Sequence, residues 1–168
     1  MENNRELEIL KEVESKLIAL GSPLTKTATT SAFVVGEWVR LKCEYGCPDY
    51  GKSKTCPPYT PDANRMRVIL REFKYAIFFT GYSHEDVRRI GLEALKYCYD
   101  IGVFKVFPLL SGRCRLCKEC TPEKCTYPHL AYPSLEACSI DVFQTAKNIN
   151  IELKYGDTYL HIGAILIF

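Results

Sequence analysis

Cys114, Cys117 and Cys120 recur at every third residue, and Cys125 follows close behind. Three thiolates so tightly spaced curl the backbone around one soft inorganic centre, the arrangement that grips three corners of an iron–sulfur cube. That segment is therefore expected to be a loop shaped by what it binds. A second group, Cys43, Cys47 and Cys56, ends in the stiff step Cys56-Pro57-Pro58, and Cys138 lies downstream. Eight of the nine cysteines thus fall near two candidate sites, and Cys98 stands alone.

At 168 residues the chain is long enough to bury a core without disulfide staples. Its cysteine content, roughly 5%, is below that of a short secreted disulfide scaffold, and the opening Met-Glu-Asn-Asn-Arg-Glu lacks the apolar core of a signal peptide. A reducing cytosol is expected, where clustered cysteines read first as metal ligands or redox groups. A net charge of +2, with no arginine-rich run, gives no footing for nucleic acid. The eleven tyrosines and eight phenylalanines are scattered through apparent core segments and read as packing. The apolar tail from Ile162 to Phe168 is far too short to cross a bilayer and reads as a buried strand.

Leu7, Leu10, Val13, Leu17 and Leu20 mark an amphipathic helix from about Asn4 to Leu20, stopped by Gly21-Ser22-Pro23. Ala32 to Val35 and Trp38 to Lys42 alternate like two strands of a hairpin about Gly36-Glu37, the second delivering Cys43 into a loop. From Glu44 to Pro61 no apolar periodicity exists, and Thr60-Pro61 resemble the start of a helix running to Arg71. Tyr75 to Thr80 reads as a strand, and Ser83 with Asp86 as the cap of a helix whose apolar face includes Val87, Ile90, Ala94, Cys98 and Ile101. Cys98 is therefore a small core residue. Val103 to Leu110 is a strand feeding the second cysteine loop. Pro133-Ser134 opens a helix to about Ile149, and Ile151 to Tyr155 pairs with Tyr159 to Phe168 across Gly156-Asp157. The expected fold is a single α+β domain, a mixed or antiparallel sheet packed with helices and carrying two cysteine-rich metal-binding loops.

The run Cys114-Arg-Leu-Cys117-Lys-Glu-Cys120 approaches the ferredoxin pattern, although four residues rather than three precede Cys125 and no proline follows it directly. Zinc also takes four thiolates, but it usually draws them as two separated pairs. The first group needs a fourth ligand from elsewhere. By ferredoxin logic Cys125 reaches across to Cys43, Cys47 and Cys56 while Cys138 completes the second group; the opposite pairing is open. Cys138 also belongs to a helical apolar stripe with Leu135, Val142, Ala146 and Ile149, which would make it core. Its place in the first turns of the expected helix, where backbone amides favour negative charge, argues for a ligand. Arg113, Arg115, Lys118 and Lys124 around the second loop, and Lys42, Lys52 and Lys54 around the first, are placed to balance an anionic cluster or to form a solvated rim. His84, His129 and His161 are isolated in the sequence.

Three blocks, Cys56-Pro-Pro-Tyr-Thr-Pro61, Cys114-Arg-Leu-Cys-Lys-Glu-Cys120 and Pro133-Ser-Leu-Glu-Ala-Cys-Ser-Ile-Asp-Val142, resemble a widespread prokaryotic family of cysteine-rich proteins described as predicted metal-binding. The resemblance implies that Cys138 belongs with the metal motifs and that the biology is redox chemistry of an anaerobic kind. It implies no particular reaction.

The expected function is a cytoplasmic iron–sulfur protein holding one or two 4Fe–4S clusters on Cys43, Cys47, Cys56, Cys114, Cys117, Cys120, Cys125 and Cys138 and passing electrons to a protein partner. The alternatives are a zinc-stabilised binding module without redox chemistry, and an iron–sulfur enzyme acting on an unidentified small substrate. No glycine-rich phosphate loop, HExxH or GxSxG motif supports a specific reaction. Two further cysteines beside Cys114-x2-Cys117 argue against a thioredoxin-type motif.

Overall fold

The computed structural model describes residues 2–168. In chain order the main elements are α1 (Glu2–Ala19), β1 (Thr25–Thr29), α2 (Glu37–Gly46), α3 (Ala63–Glu72), β2 (Tyr75–Gly81), α4 (His84–Asp100), β3 (Val106–Leu109), α5 (Val142–Asn148), β4 (Lys154–Tyr155), β5 (Thr158–Tyr159) and β6 (His161–Ile167). The fold is α+β, with a four-stranded, wholly antiparallel sheet in the order β1-β2-β6-β3.

The two central strands explain the layering. Successive side chains of a strand face opposite sides. Accordingly Ala76 and Phe78 of β2, with Ile162, Ala164 and Leu166 of β6, join a core with Met66, Leu70, Leu135 and Cys138. Ile77, Phe79, Ile165 and Ile167 join the opposite core with Leu10, Val13 and Leu17 of α1 and Val87, Ile90 and Cys98 of α4. Strands covered on both faces need no polar positions, so β2 and β6 read as nearly continuous apolar runs. The tail expected to be a buried strand is thus central, and Gly163 is required there because a Cβ would lie 2.6 Å from the Phe79 ring.

The helix and strand expectations hold for α1, β2, α4 and β3, and the Ser83 hydroxyl accepts from the Asp86 amide as the α4 cap. Four others are corrected. Trp38 to Lys42 lies in α2 rather than in a hairpin strand, because burial follows a spacing of four: Val39 and Cys43 turn inward while Leu41 is exposed. Val35 pairs instead with Ile140. The helix after the first loop is capped by Asp62, whose carboxylate accepts from the Arg65 amide, two residues beyond the expected Thr60. The single helix from Pro133 to Ile149 is broken: Glu136–Cys138 forms a 3-10 turn, Ser139 adopts a left-handed φ of 62°, and Asp141 caps a new helix. Finally, Gly156-Asp157 turns only the short β4–β5 hairpin, while β6 pairs with β2 and β3.

Among the described residues no helix is long and apolar enough to cross a membrane.

Candidate metal centre

The second cysteine loop is an excursion closed at its base. β3 ends at Leu109, and the next residue, Leu110, donates its amide to Pro133 O at 2.8 Å and accepts from the Leu135 amide at 3.3 Å. Between these anchors, residues 111–132 leave the sheet edge and return to the same point. Gly112, at φ 63°, starts the excursion against the His84 ring, where a Cβ would lie 2.8 Å from the imidazole. Cys114, Cys117, Cys120 and Cys125 all line one small cavity of about 30 Å³. Of the two pairings open for Cys125, this cavity sets it with the triad that precedes it and not with Cys43, Cys47 and Cys56.

The first group is built on the end of α2. Cys43 occupies its last turn, Cys47 is its C-cap with an amide donating to Cys43 O at 3.3 Å, and Cys56 follows in a chain of tight turns. All three line an adjoining cavity of about 260 Å³. Their thiols also sense one another. Burial is the main cause that raises Cys43 and lifts Cys56 to about 11, and in each case the Cys47 thiolate is the next. Forming thiolates there needs a compensating positive charge, which a metal supplies.

Cys138 is buried, 1% exposed, on the 3-10 turn and not at a helix N-terminus, so the amide field expected to favour its thiolate is missing. Burial pushes its thiol up to about 12, with Arg40 acting in the opposite direction. Glu136 and Ala137, the residues just before Cys138, line the cavity of the first group, although Cys138 itself does not. Thr60 Oγ1 donates to Ala137 O, and Arg40 donates to Pro61 O at 3.1 Å, binding that turn, the first loop and α2 together. Cys98 belongs to the α1/α4 core, as expected, its thiol lifted to about 11 by burial.

The two loops are stitched to each other at three points. The Cys114 amide donates to Thr55 Oγ1 at 3.0 Å, Arg113 Nε lies 3.1 Å from Asp49 Oδ2, and Tyr59 OH donates to Glu123 at 3.0 Å. Ser53 and Lys54 of the first loop even line the second cavity.

Two arginines stand at this junction. Arg113 lines both cavities, and its buried Nε–H faces Asp49 without hydrogen-bond geometry, leaving a donor with no acceptor. Arg88, on α4, donates to the carbonyls of Tyr132 at 3.3 Å and Leu130 at 3.5 Å. Burial pulls its guanidinium below the ordinary range, and the Cys114 and Cys56 thiolates oppose that shift. Arg88 lies far in sequence from both cysteine loops, in a helix whose pattern shows only its apolar face, so no local signal marks it. Of the cations flanking the motifs, Lys54, Arg113, Arg115 and Lys118 line the cavities, whereas Lys42 packs over Trp38, its Nζ 4.9 Å from the ring centroid.

Among the described residues no three His, Cys, Asp or Glu side chains converge closely enough to form a metal-binding group. The donor chemistry nevertheless fits a thiophilic centre: four thiols ring one cavity, three ring its neighbour, and an unsatisfied cationic N–H lies between them. Holding a metal requires the loops to draw their sulfurs further inward.

The DUF2284 family, described as predicted metal-binding protein, matches residues 26–168. The chain belongs to this family. Its matched region takes in both cysteine loops and the Cys138 turn. No curated protein and no solved structure matches the chain.

Proposed function

We propose that this DUF2284 member is a cytoplasmic iron–sulfur redox protein, holding one or two 4Fe–4S clusters through cysteine thiolates and passing single electrons to a partner protein. The observation that carries this reading is the pair of adjoining thiol-lined cavities tied together by the Thr55–Cys114 hydrogen bond. An all-thiol donor set suits iron–sulfur or zinc, and the bunched spacing of Cys114, Cys117 and Cys120 favours the former.

In this reading Cys114, Cys117, Cys120 and Cys125 form one complete ligand set. Cys43, Cys47 and Cys56 supply three ligands of the other, and Cys138 supplies the fourth. A bound cluster would provide a reversible one-electron couple. Arg88 and Arg113 set cationic N–H groups against its negative charge, and Tyr59 with Glu123 holds the first loop against the second.

The test is the visible and electron paramagnetic resonance spectra of anaerobically purified protein before and after dithionite. Absorbance that bleaches on reduction, with a paramagnetic signal appearing, is expected. Colourless protein with stoichiometric zinc would overturn the redox reading in favour of a structural zinc module.

A further inference from the structure

A cavity of about 380 Å³ opens beside the first cysteine group, and neither the metal motifs nor the family match accounts for it. Its size is that of a small-molecule site. Cys43 and Glu136 line both this cavity and the thiol cavity next to it, so an occupant would lie against the candidate centre. Most of the wall is apolar, from Val39, Ile140, Val142 and Ile162. The mouth is aromatic: Trp38, Tyr159 and Phe143 are 48%, 62% and 73% exposed, large rings left partly in water around one opening.

The wall also carries polar groups. Ser111 and His161 both line the cavity. His161 packs against His84 with ring centroids 4.0 Å apart and the ring planes tilted by 53°, and His84 Nδ1 is 2.8 Å from Ser111 Oγ. Ser111, just past β3, and His161, at the start of β6, thus bring hydrogen-bonding groups into the wall of an apolar slot, and His84 at the start of α4 contacts both of them.

The charges narrow the ligand. The cavity has two carboxylates, Glu136 and Asp141, and one lysine, Lys42. Lys42 lies over the Trp38 ring, and the Asp141 carboxylate accepts from the Gln144 amide to cap α5. Two carboxyl groups against one lysine, itself placed over the Trp38 ring, favour an uncharged ligand over an anionic one.

We propose that this cavity binds an uncharged, planar aromatic small molecule, with its ring between Trp38 and Phe143 and a hydroxyl or carbonyl group against Ser111 and His161. Binding needs no particular metal in the neighbouring site.

The test is isothermal titration calorimetry of the anaerobically purified full chain with 1-naphthol, and with 1-naphthyl phosphate as the anionic counterpart. Iron, sulfide and zinc are measured on the same sample, so the state of the metal site and the binding capacity of the cavity are read separately. Saturable one-to-one binding of 1-naphthol is expected, at least about tenfold weaker for the phosphate. Phe143→Asp, a change at an exposed position, should weaken 1-naphthol binding at least about tenfold. His161→Phe, which keeps a ring against His84 and removes the polar nitrogens, should weaken it while the thermal midpoint stays close to that of the wild type. Absence of saturable binding, equal affinity for the two ligands, or affinity unchanged in both variants would overturn the proposal. Self-association through the aromatic mouth in place of ligand binding would also overturn it.

Discussion

The side-chain hydroxyl of Thr55 accepts a 3.0 Å hydrogen bond from the backbone amide of Cys114, joining two cysteine loops 59 residues apart. Thr55 is buried at 1% exposure, so removing its oxygen leaves the Cys114 amide without its acceptor. Thr55→Val should cost about 1–3 kcal/mol and lower the thermal midpoint by roughly 2–12 °C, with faster loss of bound metal to a chelator. Thr55→Ser, which retains the oxygen, should recover most of both. Equal behaviour of the two variants would show that the contact ties nothing together.

Arg88 holds the return limb of the second loop by donating to Leu130 and Tyr132 carbonyls. Arg88→Met keeps the length of the side chain and removes those donors. Hydrogen bonds from a charged group contribute about 1.5–3 kcal/mol, so amide exchange within residues 126–133 should accelerate at least about tenfold while β2 and β6 remain protected. Uniform acceleration through the whole chain would assign Arg88 to global stability instead.

The cavities divide the cysteines in a way metal content can read. Cys117→Ala and Cys125→Ala should each remove the same share of metal, and the double variant should lose no more than either. Cys98→Ala should leave metal content unchanged, since its thiol lies in the α1/α4 core. Additive losses for Cys117 and Cys125 would place them in separate sites.

His84 gives a pH dependence of known sign. Burial is the main cause that holds its imidazole below the ordinary range, followed by the neighbouring His161, with Arg115 and Arg88 acting in the same direction and Glu85 against it. The unfolded chain therefore binds this proton more readily than the folded one. Stability is fully present above about pH 6.5, the unfolded value, and declines as pH falls from there towards the lower folded value. Urea unfolding of His84→Gln should show a weaker decline between about pH 6.5 and 5 than the wild type. An unchanged slope would mean another group carries it.

Much of this architecture is legible in the chain because burial leaves a pattern. The uninterrupted apolar runs of β2 and β6 follow from cover on both faces, and Cys98 declares itself core by its place on the apolar stripe of α4. The errors share a physical cause. Trp38, Val39, Leu41 and Cys43 satisfy a short alternation and a helical spacing at once, and only tertiary burial chooses between them. Edge strand β1, Thr-Lys-Thr-Ala-Thr, has β-branched residues but no apolar face to announce it. Leu135, Cys138, Val142 and Ala146 share one core whether the backbone is one helix or a 3-10 turn followed by another, so spacing could not reveal the break at Ser139. The cysteine motifs locate both loops in the sequence. Arg88 and the His84–His161 pair reach the site only through the fold.

The most direct measurement is the iron, acid-labile sulfide and zinc content per chain of protein purified without oxygen. About four iron and four sulfide, or about eight of each, are expected for one or two cube clusters. Stoichiometric zinc with no acid-labile sulfide would contradict the account.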